Sequence, residues 1–80
     1  MNIKSVESAT LAAIGYDDAC EILQLEFRSH AVYRYFGVPI SVYEALVAAP
    51  SKGSYFNGTI RGCFPHCLLA RTSSRQGGEA

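Results

Sequence analysis

Tyr33-Arg34-Tyr35 sets two phenol rings at i and i+2 with a guanidinium between them. In a strand that spacing puts both rings on one sheet face, the arrangement on which unpaired nucleobases stack. Lys52 and Arg61 can join Arg34 in phosphate contacts, Lys52 lying within the amide-rich stretch Ser51-Lys52-Gly53-Ser54. That stretch is no Walker loop, because the glycine spacing and the Gly-Lys-Ser/Thr order are absent. A glycine turn joining two helices explains it at least as well. Tyr33, Arg34, Tyr35, Lys52 and Arg61 are therefore the candidate nucleic-acid contacts.

Cys63-Phe64-Pro65-His66-Cys67 has the look of a metal knuckle, with three Zn²⁺ ligand types close together and Cys20 or His30 as a fourth. No second closely spaced pair accompanies it, and cysteine is also a common small buried residue. Cys63, His66 and Cys67 are read as structural, and no metal or other cofactor is expected. Catalysis has less support still. There is no Gly-x-Ser-x-Gly elbow. A cysteine beside His66 is too local for a dyad, because the fold normally brings catalytic partners together. Asp17-Asp18 suits a turn better than an acid/base pair. The chain is not expected to be an enzyme.

What positions the tyrosines is a run of three strands. Thr10–Tyr16 is a short apolar run ending in Asp17-Asp18. In Ile22–Arg28, Leu23, Leu25 and Phe27 alternate with Gln24, Glu26 and Arg28, the period of a half-buried strand. Val32–Phe36 follows a tight connection at Ser29-His30, which makes an antiparallel hairpin, with the first strand joining as a meander. The loop length sets the face. A two-residue loop pairs Leu25 with Arg34 and leaves Tyr33 and Tyr35 exposed beside Glu26 and Gln24. A three-residue loop flips the parity and sends both tyrosines to the core with Leu25 and Phe27. Ser and His supply the positive φ of a two-residue turn poorly, which favours the second arrangement, but both stand at this point.

The period then changes. Ser41-Val42-Tyr43-Glu44 fits a capping box. Val42, Ala45, Leu46 and Ala49 fall on one helical face, and Pro50 ends the run. Over Ser54–Arg61 a second short helix capped by Ser54 would turn Phe56 and Ile60 inward, although Asn57-Gly58 is also a hairpin signal. Phe64-Pro65 marks an extended exit. The expected fold is α+β: a three-stranded antiparallel β-meander followed by two short helices packed on one face. Residues 1–8 read as a partly ordered N-terminal segment, 9–70 as a single domain, and 71–80, without a large apolar side chain, as a flexible tail.

The chain has 80 residues, 49% of them hydrophobic and 18% charged, a globular profile with room for one small core. Seven basic residues balance seven acidic ones, which excludes a strongly polybasic nucleic-acid protein. The distribution is uneven. Residues 1–27 hold Lys4 against Glu7, Asp17, Asp18, Glu21 and Glu26, a net of −4. Residues 28–78 hold Arg28, Arg34, Lys52, Arg61, Arg71 and Arg75 against Glu44, a net of +5. A local basic patch is thus compatible with overall neutrality. The start has no apolar signal region and no run approaches a membrane span. With an odd count of three cysteines, the expected location is cytoplasmic, with no membrane partner.

The ordered series Ile14-Gly15-Tyr16-Asp17, Leu25-Glu26-Phe27, Tyr33-Arg34-Tyr35-Phe36-Gly37-Val38-Pro39, Val42-Tyr43-Glu44-Ala45-Leu46, Ser51-Lys52-Gly53-Ser54-Tyr55-Phe56-Asn57 and Ile60-Arg61-Gly62 resembles the KTSC domain. That family is named for its place at the C-terminus of some lysyl-tRNA synthetases and also occurs as a small stand-alone bacterial protein. The Tyr-x-Tyr of Tyr33 and Tyr35 is its central signature. The resemblance implies RNA binding through the fusion to a tRNA-charging enzyme and carries over no catalytic residue. The chain departs from the family at the hairpin tip, Ser29-His30 instead of Asn-Gly, and in its Cys63–Cys67 exit. The reading is a non-catalytic binding domain for nucleic acid, RNA above all. The alternative is a small protein–protein interaction module that pairs with a protein partner or with itself as a homodimer.

Overall fold

In the computed structural model, which describes residues 1–71, five antiparallel strands form one sheet in chain order. They are β1 (Asn2–Ser5), β2 (Leu11–Asp17), β3 (Ile22–Phe27), β4 (Ala31–Phe36) and β5 (His66–Arg71). Helices α1 (Ile40–Ala48) and α2 (Lys52–Tyr55), with a π turn over Phe56–Ile60, lie between β4 and β5. The architecture is α+β as expected, but the sheet has five strands rather than three. The expected meander is β2–β4, and an edge strand flanks it on each side. Neither edge shows an alternating pattern because every residue of β1 and β5 is exposed, so no buried face selects a period. Of the tail expected over 71–80, Arg71 closes β5 and the remainder lies outside the described residues.

Two turns set the register. After β2 the Asp17 carboxylate accepts from the amides of Ala19 (3.1 Å) and Cys20 (3.3 Å), an Asx turn built by the paired aspartates. Between β3 and β4 the loop is Arg28-Ser29-His30, with His30 at φ 73° and its amide donating to the Phe27 carbonyl at 2.9 Å. This is the three-residue hairpin with a left-handed last residue. Leu25 therefore pairs with Tyr33, and Leu23 with Tyr35. The tyrosines share the face of the buried leucines, which settles the parity that the sequence left open.

The helices cover that same face. Leu46 of α1 and Phe56 and Ile60 of the π turn pack against Ile14, Leu23 and Leu25. Tyr16 fastens α1 to the sheet: its ring stacks on Tyr43 with centroids 4.8 Å apart, and its hydroxyl donates to the Val38 carbonyl at 2.6 Å. The expected Ser41–Glu44 capping box is absent. The Pro39 carbonyl already accepts from the Val42 amide at 3.0 Å, so the helix begins two residues earlier and no side chain caps it. Proline's fixed φ prepares that start. Likewise Ser51, not Ser54, caps α2, accepting from the Ser54 amide at 3.3 Å. Asn57-Gly58 sits inside the π turn, closed by the Arg61 amide donating to the Phe56 carbonyl at 2.8 Å. Phe56 and Ile60 point inward as expected. Among the described residues no helix is long and apolar enough to cross a membrane.

Gly53 packs closely on the bend that leads into β2. It is buried within α2, and a Cβ there would press on Thr10 Oγ1 and lie 3.1 Å from Thr10 Cβ. Alanine is the better helix former by about 1 kcal/mol, yet overpacking against a stiff β-branched neighbour costs about 1–3 kcal/mol. Gly53→Ala is expected to destabilise the domain by about 1–2 kcal/mol in urea unfolding, with Thr10→Ala in the same chain restoring part of the loss. A Gly53→Ala domain as stable as the parent would refute the close packing.

Candidate functional site

Where the helical layer ends over β3–β5, the inward face of the sheet opens into a cleft of about 300 Å³. Phe27, Tyr33, Tyr35, Phe56, Arg61, Gly62 and His66 line it. Strand alternation puts Phe27 of β3 and both tyrosines of β4 on this face. The Tyr35↔His66 pairing brings the imidazole to the same face from β5. Gly62, at φ 77°, turns the chain out of the π turn toward β5, a left-handed conformation that glycine adopts without strain.

The rings contact one another around the cleft. Phe27 meets Tyr33 edge-on at 5.8 Å and Phe56 edge-on at 5.2 Å. Tyr35 meets Phe56 edge-on at 5.8 Å and Tyr33 at 6.4 Å, closing a four-ring circuit. His66 stacks on Tyr35 at 5.3 Å and tilts against Tyr33 at 5.8 Å. Edge-to-face geometry is favourable for aromatic quadrupoles and gives the walls rigidity.

Tyr35 is only 4% exposed, and none of the described residues hydrogen-bonds its hydroxyl. Burial raises its phenol above the ordinary value of 10.0, Tyr33 adds to the rise, and the Arg61 guanidinium opposes it. Burial also raises the Tyr16 phenol, with Glu21, Asp18 and Asp17 adding to it. The unfolded chain loses both protons first, so this stabilisation is complete below pH 10 and disappears as pH climbs through the folded-state values. Melting temperature is expected to fall above pH 10, and to fall less steeply in Tyr35→Phe. A parallel decline in both proteins would contradict that assignment.

Of the residues singled out by sequence, the cleft unites Tyr33, Tyr35 and Arg61. Arg34 is not with them. It lies on the opposite sheet face, where its Nε donates to Gln24 Oε1 at 2.9 Å. Lys52 is also elsewhere, donating from Nζ to the Ala49 carbonyl at 3.2 Å beside a separate depression of about 250 Å³. The stretch Ser51–Ser54 is the capped first turn of α2, with Gly53 inside the helix instead of in a turn between helices. Cys63, His66 and Cys67 do not converge: among the described residues no three His, Cys, Asp or Glu side chains group as metal ligands. Successive strand residues face opposite ways, so His66 enters the cleft while Cys67 pairs beside Arg34 on the other face. Sequence reasoning missed Phe27, Phe56 and His66 as site residues. The alternation of Leu23, Leu25 and Phe27 carried the first, and the inward spacing of Phe56 and Ile60 the second.

A five-stranded meander with its helices on one face and an aromatic cleft beyond them defines a small α+β domain. The chain belongs to the KTSC domain family, whose model matches residues 7–64. It is 43% identical over 64 residues to a lysine–tRNA ligase of Nostoc sp., a match that covers 80% of this chain and 11% of the ligase. It therefore spans about a tenth of the length of such ligases. A protein of Tsukamurella paurometabola is 42% identical over 62 residues, covering 78% of this chain and 92% of that protein. The crystal structure of a KTSC domain protein from Yersinia pestis superposes with a TM-score of 0.84 at 33% identity, covering 86% of this chain and 97% of that one.

Proposed function

We propose that this domain is a non-catalytic binding module for single-stranded nucleic acid, RNA above all, with the aromatic cleft as its contact surface. The observation that carries the reading is the union of Tyr33, Tyr35, Phe27 and Phe56 with Arg61 around one cavity. Phe27 and Tyr33, half-buried, offer ring faces on which a base of any sequence stacks, over a floor of buried Tyr35 and Phe56, and a guanidinium at the rim suits a phosphate. Similarity to lysine–tRNA ligases, whose name states action on a tRNA, supports it. Arg61 is the one cation among the described residues that line the cleft, so stacking leads and affinity falls only about threefold between 50 and 200 mM salt. The three free cysteines suit a reducing cytoplasm.

A protein-interaction module is the alternative, favoured by Leu68 and Leu69 standing exposed on the free edge strand β5. An amide-shift NMR titration with short single-stranded RNA at low salt separates the two. Saturable shifts at Tyr33, Tyr35, Arg61 and His66, with Arg34 and Lys52 unmoved, support the nucleic-acid reading. A spectrum unchanged at millimolar RNA removes it and directs the search to protein partners.

A further inference from the structure

The cleft presents one polar atom that its own residues leave open. Tyr35 is 4% exposed, yet its hydroxyl finds no partner among the described residues. Buried phenols ordinarily do find one. The hydroxyl belongs to a side chain that borders the cavity, so the space beside it is where a partner would sit. The volume, about 300 Å³, lies at the small end of ligand sites, room for one planar heterocycle and its sugar.

Charge narrows the chemistry. An aromatic cage often takes a quaternary ammonium, but such cations are disfavoured here: among the described residues no carboxylate lines the cleft and the Arg61 guanidinium does. A flat ring carrying an anion fits better. We propose that the cleft is a socket for one unstacked nucleotide, its base edge hydrogen-bonded by the Tyr35 hydroxyl and its phosphate beside Arg61; this rests on reading the cleft as the nucleic-acid site. Tyr35 is then the residue that reads the base.

The test uses adenosine 5′-monophosphate, ribose 5-phosphate and a short single-stranded oligoadenylate, each titrated by NMR into the parent protein and Tyr35→Phe, alongside melting of both free proteins. The mononucleotide should shift cleft amides saturably and more tightly than ribose 5-phosphate. Tyr35→Phe should weaken it about three- to tenfold while melting no lower than the parent. Equal binding of ribose 5-phosphate, undiminished binding by Tyr35→Phe, or no mononucleotide binding overturns the socket. If the oligoadenylate still binds but shifts residues outside the cleft, RNA binding stands and the socket falls. If the mononucleotide binds in the cleft and the oligoadenylate no more tightly, the socket stands and RNA binding falls.

Discussion

Phe56→Ala is expected to lower the stability of the domain by about 3–5 kcal/mol. The ring is 6% exposed and meets Phe27 and Tyr35 edge-on, so it closes the base of the cleft and joins helix to sheet. Its carbonyl also closes the π turn by accepting from the Arg61 amide. Truncation removes transfer free energy and leaves a cavity beside rings that cannot collapse far. Domain stabilities are on the order of 5–15 kcal/mol, and a chain this short buries comparatively little surface. The substitution should therefore remove a large share of the total. Urea denaturation measures it, with Phe56→Leu as the milder companion. A loss below about 1 kcal/mol would show that the ring is not a core contact.

Arg61→Glu is the variant with the largest expected effect on binding. Arg61 follows the π turn, exposed, with its guanidinium at the cleft. Reversing its charge removes a phosphate contact and adds repulsion, which should weaken single-stranded RNA by at least about tenfold and flatten the salt slope by about 0.7. Arg34→Glu is the control, because Arg34 occupies the far side of the sheet against Gln24. Its affinity should stay within about twofold of the parent, as for an exposed charge without a phosphate partner. Titrations at several salt concentrations decide between them. An equal loss in both variants would move the interface to the outer face.

The site was only partly legible, for reasons that differ residue by residue. Tyr33 and Tyr35 are adjacent enough to suggest a shared face, but which face turned on one loop residue, His30 at φ 73°. A shift of one residue reverses every side chain of β4. Arg34, next to both tyrosines in sequence, is excluded from their site by the same alternation. His66 drew attention only for its cysteine neighbours and was read as structural, and β5 was invisible as a strand because all six of its residues are exposed.

Local pattern by itself determined the β2–β4 meander, the two helices after it and the inward turn of Phe56 and Ile60. Those features rest on periodicity within a few residues, which the chain carries wherever one side meets the core. The ordered motifs also marked the family. Tertiary structure alone decided the rest: the two edge strands, the earlier start of α1, and the cleft that gathers residues from position 27 to 66. A site assembled across strands depends on register and turn length, and those are set by packing over the whole sheet, which no local spacing records.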